Sequence, residues 1–293
     1  MEMRQLRYFL ALTETGSFSR AAELCHVAQP SLSQQIQRLE QELECLLFDR
    51  LPRGAVLTEA GHKFLVPARN IIETAEQAAL TIKAGKNEVA GRLSVGVIPT
   101  MAPYFLPSLL PGFVKRYPLV ALTVHEHVTE RLIDLLASGS LDIAVTSLPV
   151  RHTLLHAEQI AEEELLIAAG KKHRFAGRKS VRWQDIAEDN FLVLHEMHCL
   201  AEQTLNFCRQ QGTDPRVVMR GEQLSTIMQL VANDMGVSLV PRMAADTDRS
   251  RRRSYIRLRD VRPARAIAIV WHLHRFRTDA ARAFEKTLKD YFS

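Results

Sequence analysis

Cysteine is scarce in this sequence, with only four in 293 residues. So few thiols in a chain of this length exclude a disulfide-stabilised scaffold. No apolar run approaches the roughly 18 residues that a membrane-spanning helix requires. The first residues lead into periodic sequence without a cleavage motif, so we expect a cytoplasmic protein that has no membrane partner and keeps its thiols reduced.

The motifs of several enzyme classes are also missing. The sequence has no glycine-rich phosphate loop, no G-x-S-x-G elbow and no paired acid and base residues. Histidines alternate at 125 and 127 and again at 272 and 274, but no cysteine or carboxylate completes a metal-binding motif beside them. We therefore expect no metal, no cofactor and no enzymatic activity.

Positive charge exceeds negative charge by only five at pH 7. This excess favours a polyanionic partner, but acidic and basic residues are balanced over residues 1–92. The partner therefore has to be identified from the placement of individual residues.

Residues 1–57 have the pattern of short helices followed by a β wing. The stretch SRAAELC begins a second helix with Ser19 as its N-cap, and Pro30 suits the first turn of a third. Pro52 and Gly54 are typical of the turn in a short wing. Helix, turn, helix and wing in this order are a DNA-reading arrangement.

The solvent face of the third helix favours DNA recognition. It carries hydroxyls, amides and one guanidinium but no lysine, whereas an ordinary solvated face more often shows Lys and Glu pairs. Such side chains bind base edges and phosphates in a major groove. Arginines on either side of the wing turn suit phosphate or minor-groove contacts. The predicted DNA-contacting residues are Gln29, Pro30, Ser31, Ser33, Gln34, Gln37, Arg38, Arg50 and Arg53.

Residues 58–90 are predicted to contain one long helix. Spacings of three and four form a heptad seam of Leu65, Ala68, Ile72, Ala75, Ala79 and Ile82. We favour pairing of this seam with a second copy of the chain over packing against its own domain. Pro67 should kink the helix, and Gly85 should end it.

Residues 91–293 alternate apolar strand-like runs with helical stretches, which predicts parallel sheets with crossover helices. The length suits two α/β subdomains with a ligand cleft between them. We therefore expect an α+β multidomain chain. Its parts would be a winged helix-turn-helix DNA-binding domain (1–57), a linker and dimerisation helix (58–90) and a regulatory domain (91–293).

The stretch FLALTETGSFSRAAELCHVAQPSLSQQIQRLEQELECLLFDR resembles the DNA-binding signature of LysR-type transcriptional regulators. PTMAPYFLPSLLPGFVKRYP and MGVSLVP resemble that family's effector domain, so the resemblance covers the whole chain. It implies two periplasmic-binding-protein-like subdomains, with Ser225 and Thr226 bordering the effector cleft. It also implies a homodimer or homotetramer that binds a partly palindromic operator in double-stranded DNA and recruits RNA polymerase.

Within this family, the stretches GVIPT, HCL and FC resemble the peroxide-sensing OxyR branch. In that branch one cysteine reacts with hydrogen peroxide, a second forms a disulfide with it, and a thiol reductant resets the pair. The resemblance implies that Cys199 is the peroxidatic thiol and Cys208 the resolving thiol. It also implies a peroxide pocket lined by Thr100, Thr129, His198 and Arg265.

The chemistry of Cys199 can also be argued from the residues themselves. Peroxide is attacked by a thiolate, so a sensor needs a lowered thiol pKa. Cys199 should be the first residue of a helix that ends near Gly212. At this N-terminal position the helix dipole favours the thiolate anion. His198 and Arg265 are expected to add positive charge beside the thiol.

The spacing of the two cysteines predicts a conformational switch. Nine residues along a straight helix separate Cys199 and Cys208 by about 13 Å. A disulfide needs Cα atoms within roughly 7 Å. Forming the bond would therefore unwind the helix and alter subunit packing.

Alternatives remain open at this stage. Cys208 shares a helix face with Ala201 and Leu205, so it could be an inert buried thiol. The sequence departs from the OxyR pattern at two positions. Met197 stands where those sensors usually have glycine, and the bulkier side chain is expected to narrow the peroxide pocket. Ala201 stands where many have arginine, so a charge that would stabilise the thiolate is expected to be missing. The alternative functions are a LysR-type regulator that binds a small organic anion and a cysteine peroxidase.

Overall fold

The computed structural model describes residues 1–51, 54–84 and 88–293. The DNA-binding domain contains α1 (Met3–Thr15), α2 (Phe18–Leu24), α3 (Gln29–Glu42) and an antiparallel wing of β1 (Phe48–Leu51) and β2 (Gly54–Leu57). The predicted N-cap at Ser19 is wrong, because Ser17 occupies that position. The left-handed conformation of Gly16 turns the chain so tightly that the next helix begins at Phe18.

The linker helix α4 (Glu59–Ala84) is one helix that continues through Pro67. In the first half of its seam, Leu65, Ala68 and Ile72 are buried in the core of the DNA-binding domain. Our preference for pairing with a second copy is therefore wrong for these three residues, because the apolar face of α1 covers them. Ala75 and Ala79 are exposed, while the side chain of Ile82 and the whole of Gly85 lie outside the described residues.

The first regulatory subdomain has the parallel strands β3 (Ala90–Val97), β4 (Leu119–Glu126) and β5 (Ile143–Ser147). Three helices cover them: α5 (Ala102–Arg116), α6 (Thr129–Ala137) and α11 (Asp279–Phe292). The N-terminal part of β6 (Leu155–Gly170) and the whole of β12 (Ala264–His272) complete its sheet. The buried apolar residues of these elements form one core, called here the first core.

The second regulatory subdomain contains β7 (Ser180–Val181), β8 (Asn190–Leu194), β9 (Arg216–Gly221), β10 (Ser238–Pro241) and β11 (Arg253–Leu258). Its helices are α7 (Trp183–Ile186), α8 (Cys199–Gln210), α9 (Leu224–Ala232) and α10 (Arg242–Thr247). Together with the C-terminal part of β6 they enclose a separate apolar core, called here the second core.

The expectation of purely parallel sheets is wrong. Strand β12 pairs antiparallel with β5 and β6, and both β10 and β11 pair antiparallel with β6. The reason is topological: β6 enters the second subdomain and β12 returns from it, so the two strands run in opposite directions. Three strands, β7, β9 and β11, were not anticipated from apolar runs.

The linker helix also contacts the first subdomain. The guanidinium of Arg275 pairs with Glu73 on α4 and donates a 2.6 Å hydrogen bond to the carbonyl of Leu141. Asn70 on α4 donates to the carbonyl of His274 at 3.3 Å. Among the helices described, none combines the length and apolarity needed to cross a membrane.

Candidate functional site

The exposed side of α3 carries the predicted DNA-contacting residues. Leu32, Ile36 and Leu39 are fully buried on the opposite side, which leaves the polar residues facing solvent. A shallow concave surface at the start of α3 is lined by Gln29, Pro30, Ser31, Ser33, Gln34 and Gln37. Five of these residues are exposed, and Ser33 is partly buried. The structure thus brings most of the predicted residues onto one surface.

The remaining predicted DNA contacts are distributed around this surface. Arg38 is exposed on α3, and Arg50 lies in β1 with its guanidinium 5.1 Å from the ring centre of Phe18. Arg53 lies outside the described residues.

A buried carboxylate joins α3 to the wing, and sequence reasoning missed it. Glu40 is only 6% exposed and accepts backbone hydrogen bonds from Leu47 at 2.9 Å and from Phe48 at 3.2 Å. The available signal was a glutamate beside Leu39 and four residues after Ile36, on the apolar side of the helix. Glu40 fixes the start of β1 to α3.

Helix α8 places the two cysteines of interest in different environments. As predicted, Cys199 is the first residue of the helix. It is partly buried against the first core, whereas Cys208 is completely buried in the second core. Both are free thiols. At 1.5 Å per residue, the intact helix holds them about 13 Å apart.

Arg265 is the centre of a buried polar network beside Cys199. Its side chain is 0% exposed and pairs with Glu163, with 2.7 Å between Nε and the carboxylate. It also donates to the hydroxyl of Thr100 at 2.9 Å and to its carbonyl at 3.2 Å. The other Glu163 oxygen accepts from the backbone of Met243 at 2.8 Å. Glu163 was missed because it lies 102 residues from Arg265 in sequence.

The pKa of Cys199 differs from our expectation. Burial raises it, and this effect exceeds the opposing effects of the Arg265 charge and of a hydrogen bond with the Thr129 hydroxyl. The predicted lowering of the Cys199 pKa is therefore wrong, because the free-energy cost of removing the thiolate from water exceeds the stabilisation that these partners supply.

Cys208, the second thiol of α8, is also weakly acidic. Burial raises the pKa of Cys208 to about 12. At neutral pH it is therefore protonated while α8 is intact.

His198 is held by the second subdomain. Its side chain is 6% exposed and bonds to the backbone carbonyl of Glu222, and burial lowers its pKa. The expected positive charge at His198 is therefore wrong for neutral pH, where the imidazole is uncharged. Thr129 by contrast lies on the first subdomain, with its hydroxyl 3.1 Å from that of Thr146.

Four further residues singled out in the sequence are placed as follows. Met197 is 46% exposed, so much of its side chain faces solvent, and Ala201 is buried in the second core. Ser225 and Thr226 are exposed in the first turn of α9. Their place beside an effector cleft stays a prediction.

A third residue missed from sequence is Gln203. Its amide nitrogen donates to the hydroxyl of Ser147 at 2.7 Å and to the carbonyl of Leu148 at 3.1 Å. The signal was its position four residues after Cys199, on the same face of a helix.

Two family models match this chain. The one described as "LysR substrate binding domain" matches residues 86–293, and "Bacterial regulatory helix-turn-helix protein, lysR family" matches residues 3–62. These matches agree with the winged helix-turn-helix and two-subdomain architecture observed here.

Curated relatives and a solved structure are similar over most of the chain. The hydrogen peroxide-inducible genes activator of Pectobacterium carotovorum is 33% identical over 92% of this chain and 90% of its own length. The DNA-binding transcriptional dual regulator OxyR of Escherichia coli K12 is 34% identical over 86% and 82%, respectively. A cysteine-to-aspartate variant of full-length OxyR from Pseudomonas aeruginosa has 30% identity and a TM-score of 0.80, covering 100% of this chain and 94% of that one. The chain therefore belongs to the LysR family of transcriptional regulators, and within it resembles OxyR.

Proposed function

We propose that this chain is a hydrogen-peroxide-responsive transcriptional regulator that switches through a reversible Cys199–Cys208 disulfide. The observation that carries this proposal is the arrangement of α8, which begins with a thiol at the first core and holds a second thiol in the other core. Neither thiol can reach the other while the helix is intact. Oxidation must therefore remodel the contact between the subdomains.

The reaction proceeds in two balanced steps. The Cys199 thiolate attacks one peroxide oxygen, the O–O bond breaks, and hydroxide leaves as the sulfur becomes a sulfenic acid. The Cys208 thiol then attacks that sulfur, forming the disulfide and releasing water. The sulfur pair loses two electrons and the peroxide gains them. A thiol reductant reverses the bond.

The surrounding residues fit these steps. Burial keeps the resting Cys199 thiol mostly protonated, which shelters it from general oxidants, and the attack proceeds through the thiolate fraction. The Thr129 hydroxyl and the Arg265 charge favour that anion. In this proposal Thr100, Thr129, His198 and Arg265 line the peroxide pocket, and the hydroxyls orient peroxide and stabilise the leaving hydroxide.

In this proposal the DNA-binding domain binds the operator, and oxidation of the regulatory domain changes that binding. In this proposal the exposed face of α3 binds the major groove of a partly palindromic operator, and Arg50 and Arg53 contact the backbone or minor groove. In this proposal the DNA-binding domain is residues 1–57, the linker and dimerisation helix is 58–90 and the regulatory domain is 91–293. We further propose a cytoplasmic homotetramer of dimers that recruits RNA polymerase, with Ala75 and Ala79 available to a partner helix because they are exposed.

Thiol trapping tests the proposal directly. The full-length protein is treated with micromolar peroxide, alkylated and digested, and we expect a Cys199–Cys208 crosslink together with altered operator binding. Cys199→Ser should abolish both results. Cys25→Ser and Cys45→Ser in the DNA-binding domain serve as matched controls and should retain both. A Cys199→Ser protein that still responds to peroxide contradicts the proposal.

A turnover assay distinguishes the regulator from a peroxidase. In the presence of a thiol reductant that resets the disulfide slowly, we expect about one peroxide consumed per chain before the loss of peroxide slows. Sustained rapid turnover would favour the enzyme. A regulator of the organic-anion class would instead show no crosslink at any step.

A further inference from the structure

Gln203 on α8 hydrogen-bonds the helix to the first subdomain. Leu200, Ala201, Thr204 and Cys208 point into the second core, so the helix belongs to the second subdomain by packing. The opposite side carries Cys199 against the first core and, one turn later, Gln203. The helix is therefore fixed on both sides.

The acceptors of Gln203 are rigidly placed. Ser147 is 1% exposed, and its hydroxyl donates to the carbonyl of Ala266 at 3.1 Å. The backbone of Leu148 donates to the same carbonyl at 3.0 Å. Ala266 follows Arg265 on β12, so Gln203 is linked through Ser147 and Leu148 to the strand that carries the buried guanidinium.

Only the nitrogen of the Gln203 side-chain amide is hydrogen-bonded. Both hydrogen bonds use the amide nitrogen, while the buried Oε1 of Gln203 has no hydrogen-bond partner within the described part of the chain. An unpaired buried acceptor costs free energy that it regains in water. The two donated hydrogen bonds therefore hold the helix, and the unpaired oxygen offsets only part of their stabilisation.

We propose that Gln203 is a positioning residue that holds α8 against the first subdomain in the thiol form, and that release of its two hydrogen bonds helps to set the rate of disulfide closure. The inference rests on the proposed function. Gln203 lies between the two cysteines, so any path that joins the sulfurs moves the segment that Gln203 fixes. The first step, attack on peroxide, leaves the helix in place and does not require this release.

The test compares Gln203→Leu with Gln210→Leu, the same change at an exposed position of the same helix. In a Cys208→Ser background, sulfenic acid formation is followed with a dimedone probe, and we expect all variants to agree within about twofold. With Cys208 present, rapid-quench alkylation follows closure after a peroxide pulse. We expect closure in Gln203→Leu to be about fivefold to tenfold faster, the effect of losing a buried hydrogen bond.

A second substitution checks that the effect passes through the named contact. Ser147→Ala removes one acceptor and should accelerate closure on its own. Added to Gln203→Leu it should give little further acceleration, because the two residues share one interaction. Full additivity of the two effects would contradict the assignment.

Hydrogen exchange separates this inference from the proposed function, because it needs no peroxide. In the reduced protein, amides 200–207 should exchange faster in Gln203→Leu than in Gln210→Leu. If the parent closes its disulfide and Gln203→Leu closes no faster, the positioning role is wrong and the proposed function stands. If the parent forms no disulfide, the rate-setting role fails with the proposed function, and equal exchange in the two variants would also remove the anchoring role.

Discussion

Helices α3 and α8 carry the two kinds of candidate chemistry, and they present it in opposite ways. The polar side chains of α3 face solvent over a buried apolar stripe. Helix α8 lies between two cores, and its thiols are partly or completely buried. A surface that binds a long polyanion must be accessible, whereas a thiol that reacts with a small oxidant can be sheltered. Each substitution on the exposed face of α3 should therefore change DNA affinity independently. A substitution near α8 should also disturb the buried residues that it contacts.

The largest effect is expected where the buried network loses its cation. Arg265→Met leaves the Glu163 carboxylate buried and unpaired, which should lower the free energy of unfolding by about 3–5 kcal/mol. Urea denaturation measures this loss. Arg257→Met on β11, where the side chain is 55% exposed, is the matched control and should cost less than about 1 kcal/mol. Equal losses would show that burial of the pair does not matter.

The exposed helix should show an effect on affinity without an effect on stability. Gln34→Ala should weaken binding to a DNA fragment selected from a random library by about 1–3 kcal/mol, because a base-edge contact is lost. Its free energy of unfolding should stay within about 0.5 kcal/mol of the parent. Gln41→Ala lies farther along α3, outside the concave surface lined by Gln34, and should leave affinity unchanged. Fluorescence anisotropy at fixed salt measures the difference.

Neutralising Glu163 should show how strongly the acidity of the Cys199 thiol depends on the nearby ion pair. Glu163→Gln leaves the Arg265 charge uncompensated, which favours the Cys199 thiolate and lowers the pKa of that thiol relative to the parent. Alkylation at neutral pH should then be several-fold faster. Glu164→Gln is the control, because that carboxylate pairs instead with Arg242. An unchanged alkylation rate in Glu163→Gln would mean that the ion pair does not control the reactivity of Cys199.

The smallest expected effect concerns pH. Burial lowers the pKa of His198 in the folded chain, so the unfolded chain binds its proton more readily. The parent should therefore lose stability as pH falls below about 6.5, the unfolded value, toward the folded pKa. His198→Asn should lose less over that window, as judged from Tm at each pH. His127→Asn at an exposed position is the control and should follow the parent.

The sequence predicted the features that depend on local periodicity and end signals. The helical face of α3, the wing and the start of α8 at Cys199 all follow from residues close together in the chain. The family resemblance also brought Thr100 and Arg265 into one pocket, and the structure joins them by a hydrogen bond.

Features that depend on distant contacts were missed. The antiparallel pairing of β6 and β12 follows from the path of the chain between subdomains, which apolar runs do not encode. Burial of Cys199 reversed the expected direction of the thiol pKa, and this burial arises only when α8 meets the first subdomain. The linker seam showed the same limit, because its periodicity does not say which surface will cover it.

Strand β6 runs through both regulatory subdomains, pairing with β12 over residues 155–164 and with β10 and β11 over residues 165–170. Because β6 is continuous, any relative motion of the two subdomains must bend or twist this strand. Through the contact between Arg275 and Glu73, such a motion would reach the linker helix and reorient the DNA-binding domain relative to the regulatory subdomains.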